Sequence, residues 1–145
     1  MKLIIGGAYQ GKLAYAKEKY EIQDGWIDGK ACEFQELETC RGIFQFHELI
    51  KRIQAYDGDQ LPEWMCGLQK NHALELEQES EQFVKELLQR NPNMIIVANE
   101  LGCGVVPMDR KDRVWRETTG RVCTCLAAKA EEVIRVMCGI GTKLK

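Results

Sequence analysis

The hydrophobic positions of the chain form short continuous runs that alternate with longer amphipathic stretches. The short runs predict strands at Lys2–Ile5, Met94–Ala98 and Val133–Cys138, and weaker patterns predict short strands at Gly25–Asp28 and Thr142–Lys145. Met94–Ala98 is apolar at every position, which is typical of a strand buried on both faces of a parallel sheet. We therefore expect this run to lie at the centre of a sheet.

Amphipathic segments separate these runs. Apolar residues spaced three and four apart predict helices at about Gly11–Tyr20, Ile43–Ala55, Gln69–Gln89 and Arg110–Lys129, although in Ile43–Ala55 the helical spacing is clear only over the second half. Strands that alternate with helices are typical of a layered α/β domain around a mainly parallel sheet. We predict a three-layer α/β fold that forms a single domain over residues 1–145.

The first predicted strand runs directly into a glycine-containing loop. Gly6-Gly7-Ala8-Tyr9-Gln10-Gly11-Lys12 has the spacing G-x-x-x-x-G-K of a phosphate-binding loop, but Leu13 stands where the pattern has Ser or Thr. Backbone N–H groups of such a loop, the lysine charge and the N-terminus of the next helix can surround a phosphate. The missing hydroxyl normally holds Mg²⁺. The pattern therefore favours phosphate binding and weakens the case for phosphoryl transfer.

We call residues 6–13 the phosphate loop. The residues predicted to contact a nucleotide are Gly6, Gly7, Ala8, Tyr9, Gln10, Gly11, Lys12 and Leu13.

A second glycine-containing loop, Asn99–Pro107, follows the best predicted strand. In parallel sheets, ligands bind outside the carboxyl ends of the strands, so we expect this loop and the phosphate loop to face one crevice. Lys12 and Glu100 are the candidate catalytic residues. Glu100 would serve as a catalytic or metal-proximal acid, and the alternative interpretation is that Glu100 braces its own loop.

Composition and charge limit the classes of partner. The hydrophobic share is 45%, the charged share is 29%, and the net charge is -2. No bulk positive field attracts nucleic acid or an acidic membrane. No apolar run approaches the roughly 18 residues that span a bilayer, and the N-terminus lacks the layout of a signal peptide. These features predict a cytoplasmic protein that binds neither nucleic acid nor membrane.

Seven cysteines are present, an odd number without a tight C-x-x-C pair. This spacing disfavours a disulfide framework and a zinc ribbon. We interpret most of the cysteines as small buried hydrophobic residues in a reducing compartment.

The Asn99–Pro107 loop reads N-E-L-G-C-G-V-V-P and closely resembles the N-E-V-G-x-G-I-V-P signature of one P-loop family. That family is the bifunctional adenosylcobinamide kinase / adenosylcobinamide-phosphate guanylyltransferase family of cobalamin biosynthesis. The resemblance extends over about residues 1–20 and 94–145, so the chain is identified as a shortened, divergent member. The further matching positions are Arg110, Arg113, Gly120–Val122, Leu126–Ala128, Ala130–Val133 and Gly139–Lys145.

The resemblance implies a P-loop NTPase-like fold and a concrete activity. The family phosphorylates the aminopropanol hydroxyl of adenosylcobinamide with a nucleoside triphosphate, and then transfers GMP through a histidine-linked intermediate, with Mg²⁺ serving the chemistry. For this chain the resemblance implies GTP or ATP as cofactor, cobinamide as a second partner, and a homo-oligomer, with the trimer as the assembly common in the family.

The middle of the chain is expected to depart from the family pattern. Asp28–Thr39 lacks the family's histidine-rich segment, and the two histidines of the chain, His47 and His72, are interpreted as structural. No apolar strand ending in an acidic residue is predicted between Tyr56 and Gln89. Guanylylation is therefore expected to be lost. No residue is assigned as a metal ligand, and Mg²⁺ stays among the candidate cofactors.

Three hypotheses follow. In the first, the chain is a nucleotide-dependent kinase that lacks guanylylation. In the second, it is a non-catalytic nucleotide- or corrinoid-binding or assembly protein. In the third, it is a homo-oligomeric structural paralogue without a ligand. The side chains whose role stays open between ligand contact and packing or solvent are Arg110, Arg113, Trp115 and Arg121.

Overall fold

The computed structural model describes residues 1–69 and 73–145, and it describes the backbone but not the side chains of residues 73 and 74. The strands are β1 (Lys2–Ile5), β2 (Trp26–Asp28), β3 (Gly42–Phe44), β4 (Ile95–Val97), β5 (Glu132–Met137) and β6 (Ile140–Lys143). The helices are α1 (Lys12–Lys19), α2 (Phe46–Ala55), α3 (Glu63–Cys66), α4 (Ala73–Arg90) and α5 (Arg110–Lys129). Short 3₁₀ turns lie at Phe34–Glu38 and Gly67–Gln69.

The strands form one sheet in the order β2-β3-β4-β1-β5-β6. β1 pairs in parallel with both β4 and β5, with Leu3 opposite Ile96 on one side and Val133 on the other. β6 alone among the described strands is antiparallel, as the return arm of a hairpin with β5. The carboxyl ends of β1, β4 and β5 therefore meet at one edge of the sheet.

Successive residues of the central strands enter different hydrophobic clusters. Leu3 and Ile96 belong to the larger cluster, which includes α2, α4 and α5, whereas Ile4 and Ile95 belong to a smaller cluster with α1. Each of these four side chains is almost fully buried. The central strands are thus covered on both faces, which confirms the predicted three-layer α/β fold with a mainly parallel sheet.

One sequence prediction was wrong. The segment 43–55 is not a single helix, because its first residues form β3 and α2 begins only at Phe46. Gln45 separates the two elements in a left-handed conformation, with a φ of 55°. The apolar side chains Ile43 and Phe44 extend the helical stripe of α2 in sequence, which hides a strand of only three residues.

Other boundaries moved by a few residues. The long helix α4 begins at Ala73 in the structure, and residues 70–72 of the predicted Gln69–Gln89 helix, including His72, lie outside the described residues. The last strand spans Ile140–Lys143, two residues earlier than predicted. Across residues 1–69 and 73–145, no helix has both the length and the apolar character needed to cross a bilayer.

Candidate nucleotide site

The phosphate loop connects β1 to α1 at the carboxyl edge of the sheet. Gly11 occupies the N-cap of α1 with a φ of 80°, and this helix has neither a side-chain cap nor an acidic residue in its first turn. The first N–H groups of a helix have no partner within the helix and carry partial positive charge. The start of α1 is therefore suited to an anion, as the loop pattern predicted.

Lys12 turns back into the phosphate loop. Its side chain is buried, and Nζ donates a hydrogen bond to the carbonyl oxygen of Gly7 at 2.6 Å. Burial lowers the pKa of Lys12 below its ordinary value, and the nearby charge of Glu100 acts in the opposite direction. An anionic ligand at this position would stabilise the ammonium form in the same way as Glu100 does.

Gly6 lies against β5 and against the loop that follows β4. A Cβ at Gly6 would fall 2.2 Å from the carbonyl oxygen of Val136, and the φ of Gly6 is 152°. The carbonyl of Gly6 accepts a hydrogen bond from the N–H of Glu100 at 3.0 Å. The two glycine-containing loops therefore lie side by side, which confirms the predicted common crevice.

Gln10 fastens the phosphate loop to the β5–β6 turn. The N–H of Cys138 donates to Oε1 of Gln10 at 2.6 Å, and the N–H of Gly139 donates to its carbonyl at 2.9 Å. Cys138 and Gly139 both have positive φ values, as a tight hairpin turn requires. The side chain of Gln10 therefore holds the loop in place, and its contact with a nucleotide stays a prediction.

Glu100 forms an ion pair with Arg135 of the neighbouring strand β5. Its Oε2 accepts a hydrogen bond from Nη2 of Arg135 on β5 at 3.0 Å. This ion pair fits the bracing interpretation of Glu100. The structure brings Lys12 and Glu100 close enough to influence each other electrostatically, and a catalytic role for either residue stays a prediction.

β3, the strand that the sequence analysis missed, brings Gln45 to the edge of the phosphate loop. A cavity of about 210 Å³ lies between them. The amide Nε2 of Gln45 donates to Oδ2 of Asp28 at 3.4 Å. The cavity is lined by Tyr9, Gln10, Gly11, Lys12, Leu13, Ala14, Phe44, Gln45, Val97 and Asn99. β3 has only three residues, and its apolar side chains continue the helical stripe of α2, so the periodicity of the sequence does not separate the strand from the helix.

The side chains around this cavity do not fit a Mg²⁺ ion held by the protein. Mg²⁺ prefers oxygen ligands, usually carboxylates, in octahedral geometry. Leu13 offers no hydroxyl, the residue that follows β3 is the amide Gln45, and the carboxylate of Glu100 is paired with Arg135. Over the part of the chain that the structure describes, no group of three or more His, Cys, Asp or Glu side chains is arranged to hold a metal.

His47, at the start of α2, packs beneath this site. It is only 4% exposed, and its Nδ1 accepts a hydrogen bond from the N–H of Asn99 at 3.3 Å. Trp115 of α5 stacks on the ring and donates from Nε1 to the carbonyl of His47 at 2.6 Å. These contacts join α2, α5 and the loop after β4, and they favour the structural interpretation of both His47 and Trp115.

Burial, together with the charges of Lys12 and Lys30, lowers the pKa of His47 to about 4. The carboxylate of Glu48, 3.6 Å from Nε2, does not offset these effects. Protonation of Nδ1 would turn this acceptor into a donor that faces the N–H of Asn99, and the hydrogen bond between them would be lost. The ring is therefore held neutral at physiological pH.

Acidification is expected to destabilise the protein through His47. Because its pKa is about 4 when folded and near 6.5 when unfolded, the unfolded chain binds more protons between these values. The free energy of unfolding should therefore fall as the pH drops through this window, by about 1–2 kcal/mol near pH 5. Urea denaturation of the wild type and of His47→Asn at both ends of the window measures this. Equal pH dependence in the two proteins would contradict it.

Arg113 and Arg121 of α5 contact nearby protein groups. Arg113 donates to the backbone carbonyl oxygens of Pro107 and Met108. Arg121 pairs with Glu117 on the same helix, and its partner across to α4 is Glu77. These contacts favour structural roles for Arg113 and Arg121 over ligand contact.

The cysteines differ from the prediction that most are buried. All seven are free, and full burial applies only to Cys32 and Cys40. The exposed ones are Cys66, Cys103 and Cys138.

Comparisons with known proteins give one family. A family model described as cobinamide kinase / cobinamide phosphate guanyltransferase matches residues 39–144. The chain is also similar to the bifunctional adenosylcobalamin biosynthesis protein CobU of Salmonella typhimurium (strain LT2), with 48% identity over 58 residues. The protein of the same name from Escherichia coli (strain K12) is again 48% identical over 58 residues. The alignment covers 39% of this chain and 32% of the relative in each case, so the chain spans about a third of the length of the curated relatives it matches.

The matched range corrects one expectation. The resemblance was placed at residues 1–20 and 94–145, but the family model also matches residues 39–93, which include β3, and it begins after the phosphate loop. Similarity to the family is therefore not confined to the two ends of the chain.

Proposed function

Because the chain belongs to the cobinamide kinase / cobinamide phosphate guanyltransferase family, we propose that it binds GTP or ATP on the phosphate loop and phosphorylates a cobinamide-type alcohol in cobalamin biosynthesis. The observation that carries the proposal is the buried ammonium of Lys12 beside the uncapped N-terminus of α1. The α/β sheet is of the P-loop NTPase-like type, and the proposed phosphate site is the loop that follows its first strand.

Phosphoryl transfer depends mostly on positioning and charge neutralisation. The oxygen of the acceptor hydroxyl would bond to the γ-phosphorus, and the bond from that phosphorus to the leaving nucleoside diphosphate would break. Lys12 would neutralise charge on the transferred group, and Glu100 is the proposed acceptor of the hydroxyl proton. The ion pair of Glu100 with Arg135 would fix the direction of that carboxylate.

We propose that guanylylation is absent. A histidine nucleophile needs a free ring nitrogen near the α-phosphate. The ring of His47 is buried, and both of its nitrogens lie within 3.3 Å of nitrogen atoms of Asn99. His47 is therefore assigned to packing.

A second candidate function is nucleotide or corrinoid binding without transfer. Leu13 and Gln45 favour it, because neither supplies the oxygen ligand expected for Mg²⁺ beside a transferred phosphate. For either function we propose that residues 1–145 act as one domain and assemble as a homo-oligomer.

One assay separates the two candidates. Purified protein is incubated with cobinamide, Mg²⁺ and either GTP or ATP, and phosphorylated cobinamide is measured by mass spectrometry, with Lys12→Ala as the control. Product above the control supports the kinase. Nucleotide binding without product supports the binding protein. A protein that binds neither nucleotide nor cobinamide and forms no product would contradict both.

A further inference from the structure

A larger cavity, of about 680 Å³, lies next to the nucleotide site, between the loop after β4 and helix α5. The two cavities share Asn99, and Glu100 lines the larger one. Its volume falls within the range of about 300–1,000 Å³ typical of small-molecule sites. Cys103 and Glu117 on its lining are exposed, so the cavity opens to solvent and a ligand larger than the cavity can extend outward.

The surface of the cavity as a whole is more apolar than polar, and the wall formed by α5 contains one unsatisfied hydroxyl. Thr119 is 1% exposed, and its Oγ1 has no hydrogen-bond partner among the described residues. Burial raises the pKa of Cys123 to about 12, so its thiol stays neutral. A Cβ added at Gly120 would have no atom within 4 Å. The wall therefore offers open space at Gly120, a neutral thiol at Cys123 and one hydroxyl that lacks a partner.

The charged side chains at the cavity already have partners. Arg121 pairs with Glu117 at 2.9 Å and with Glu77 at 3.6 Å. Arg116 donates to the backbone carbonyl oxygens of Gly102, Gly104 and Val105.

The residues lining the cavity include three carboxylates and two guanidinium groups, so their net charge is negative. A polyphosphate would find no unpaired cation among the described lining residues. This balance favours a neutral or cationic organic ligand.

We propose that this cavity holds the acceptor alcohol, with the body of a cobinamide-type ligand against α5 and its hydroxyl end at Glu100. The inference rests on the proposed function. The two cavities adjoin at Asn99, and Glu100 lines the larger one beside it, so a donor phosphate at Lys12 and an acceptor hydroxyl at Glu100 would lie on the two sides of Asn99. The hydroxyl of Thr119 would gain a polar group of the ligand as its partner.

Gly120→Leu tests the proposal directly. A Cβ at Gly120 would meet no atom within 4 Å, so the added side chain starts in open space at the cavity, and the loss of a helical glycine favours folding. Binding of cobinamide, followed by the change in its visible absorbance, should weaken at least about tenfold. GTP binding by calorimetry should not change. Gly104→Leu is the matched control, because an added Cβ there is also free of contacts and Gly104 does not line the cavity.

Thr119→Val gives a second test that does not depend on filling the cavity. The variant should be at least as stable as the wild type, because it removes a buried hydroxyl without a partner. It should nevertheless bind cobinamide several-fold more weakly.

Wild-type affinity for cobinamide in both variants would overturn the inference and leave the proposed function intact. A wild-type protein that binds GTP but not cobinamide would overturn the inference and also remove the acceptor from the proposed function. Failure to bind either ligand would overturn the proposed function itself.

Discussion

Lys12→Ala is expected to lower the affinity for GTP and ATP by about 10- to 100-fold, the loss that follows when one charged hydrogen bond of about 1.5–3 kcal/mol is removed. The ammonium of Lys12 is buried in the phosphate loop and is held by the carbonyl of Gly7 at 2.6 Å. Its charge is therefore already positioned for a phosphate, and little reorganisation is needed on binding. Isothermal titration calorimetry measures the effect.

The control for this variant is Lys17→Ala. Lys17 lies on the same helix but outside the residues that line the cavity at the phosphate loop, so both variants lose one positive charge from α1. Lys12→Ala should fold at least as well as the wild type, because burial of its ammonium is unfavourable without a ligand. Equal nucleotide affinity in both variants would contradict a phosphate-binding role for the loop.

Gly6→Ala is expected to destabilise the protein by about 2–6 kcal/mol, from backbone strain and overpacking together. Its Cβ would meet the carbonyl oxygen of Val136 at 2.2 Å, and this atom belongs to the backbone of β5, which cannot turn away as a side chain can. A φ of 152° is also one that residues with a side chain rarely adopt. A loss of this size is a large share of the stability of an ordinary domain.

The measurement for Gly6→Ala is urea denaturation beside Gly102→Ala. An added Cβ at Gly102 has no atom within 4 Å, so that substitution should be nearly neutral. Matching denaturation midpoints for the two variants would show that the phosphate loop is not packed against β5 as described.

The central elements could be predicted because their sequence patterns are strong. β1 and β4 are continuous apolar runs, and burial on both faces of the sheet requires that pattern. The 20-residue helix α5 is capped by Asp109, whose carboxylate accepts from the N–H groups of Lys111 and Asp112, and this cap is readable in the sequence. Helices and strands with a strong pattern and a clear end can therefore be predicted from the sequence.

β3 could not be predicted in the same way. It has three residues, and only Gln45 separates it from α2. Its apolar side chains Ile43 and Phe44 continue the apolar stripe of Phe46 and Leu49. The sequence pattern therefore places the start of the helix at Ile43 instead of Phe46. Position in the sheet, between β2 and β4, determines its conformation more than local sequence does.

The contacts that brace the site join residues far apart in sequence. Gln10 and Cys138 are 128 positions apart, and Glu100 and Arg135 are 35 apart. Such pairs follow from the strand order, which places β4 and β5 on the two sides of β1. The motif therefore predicted which residues form the phosphate loop, but it contained no information about which residues hold it.

Two positions at the phosphate loop lack the side chain that would hold Mg²⁺. In the sequence, Leu13 replaces the usual Ser or Thr, and in the structure the residue that follows β3 is Gln45. Neither side chain is an anionic or hydroxyl oxygen ligand. We therefore predict that nucleotide binding depends on Lys12 and the start of α1, and that it depends little on Mg²⁺.

A calorimetric titration of the wild-type protein with GTP, in Mg²⁺ and again in a chelator, tests whether nucleotide binding is independent of Mg²⁺. We predict saturable binding at one site per chain, with closely similar affinities under the two conditions. The absence of saturable binding under both conditions, or binding that appears only with Mg²⁺, would contradict it.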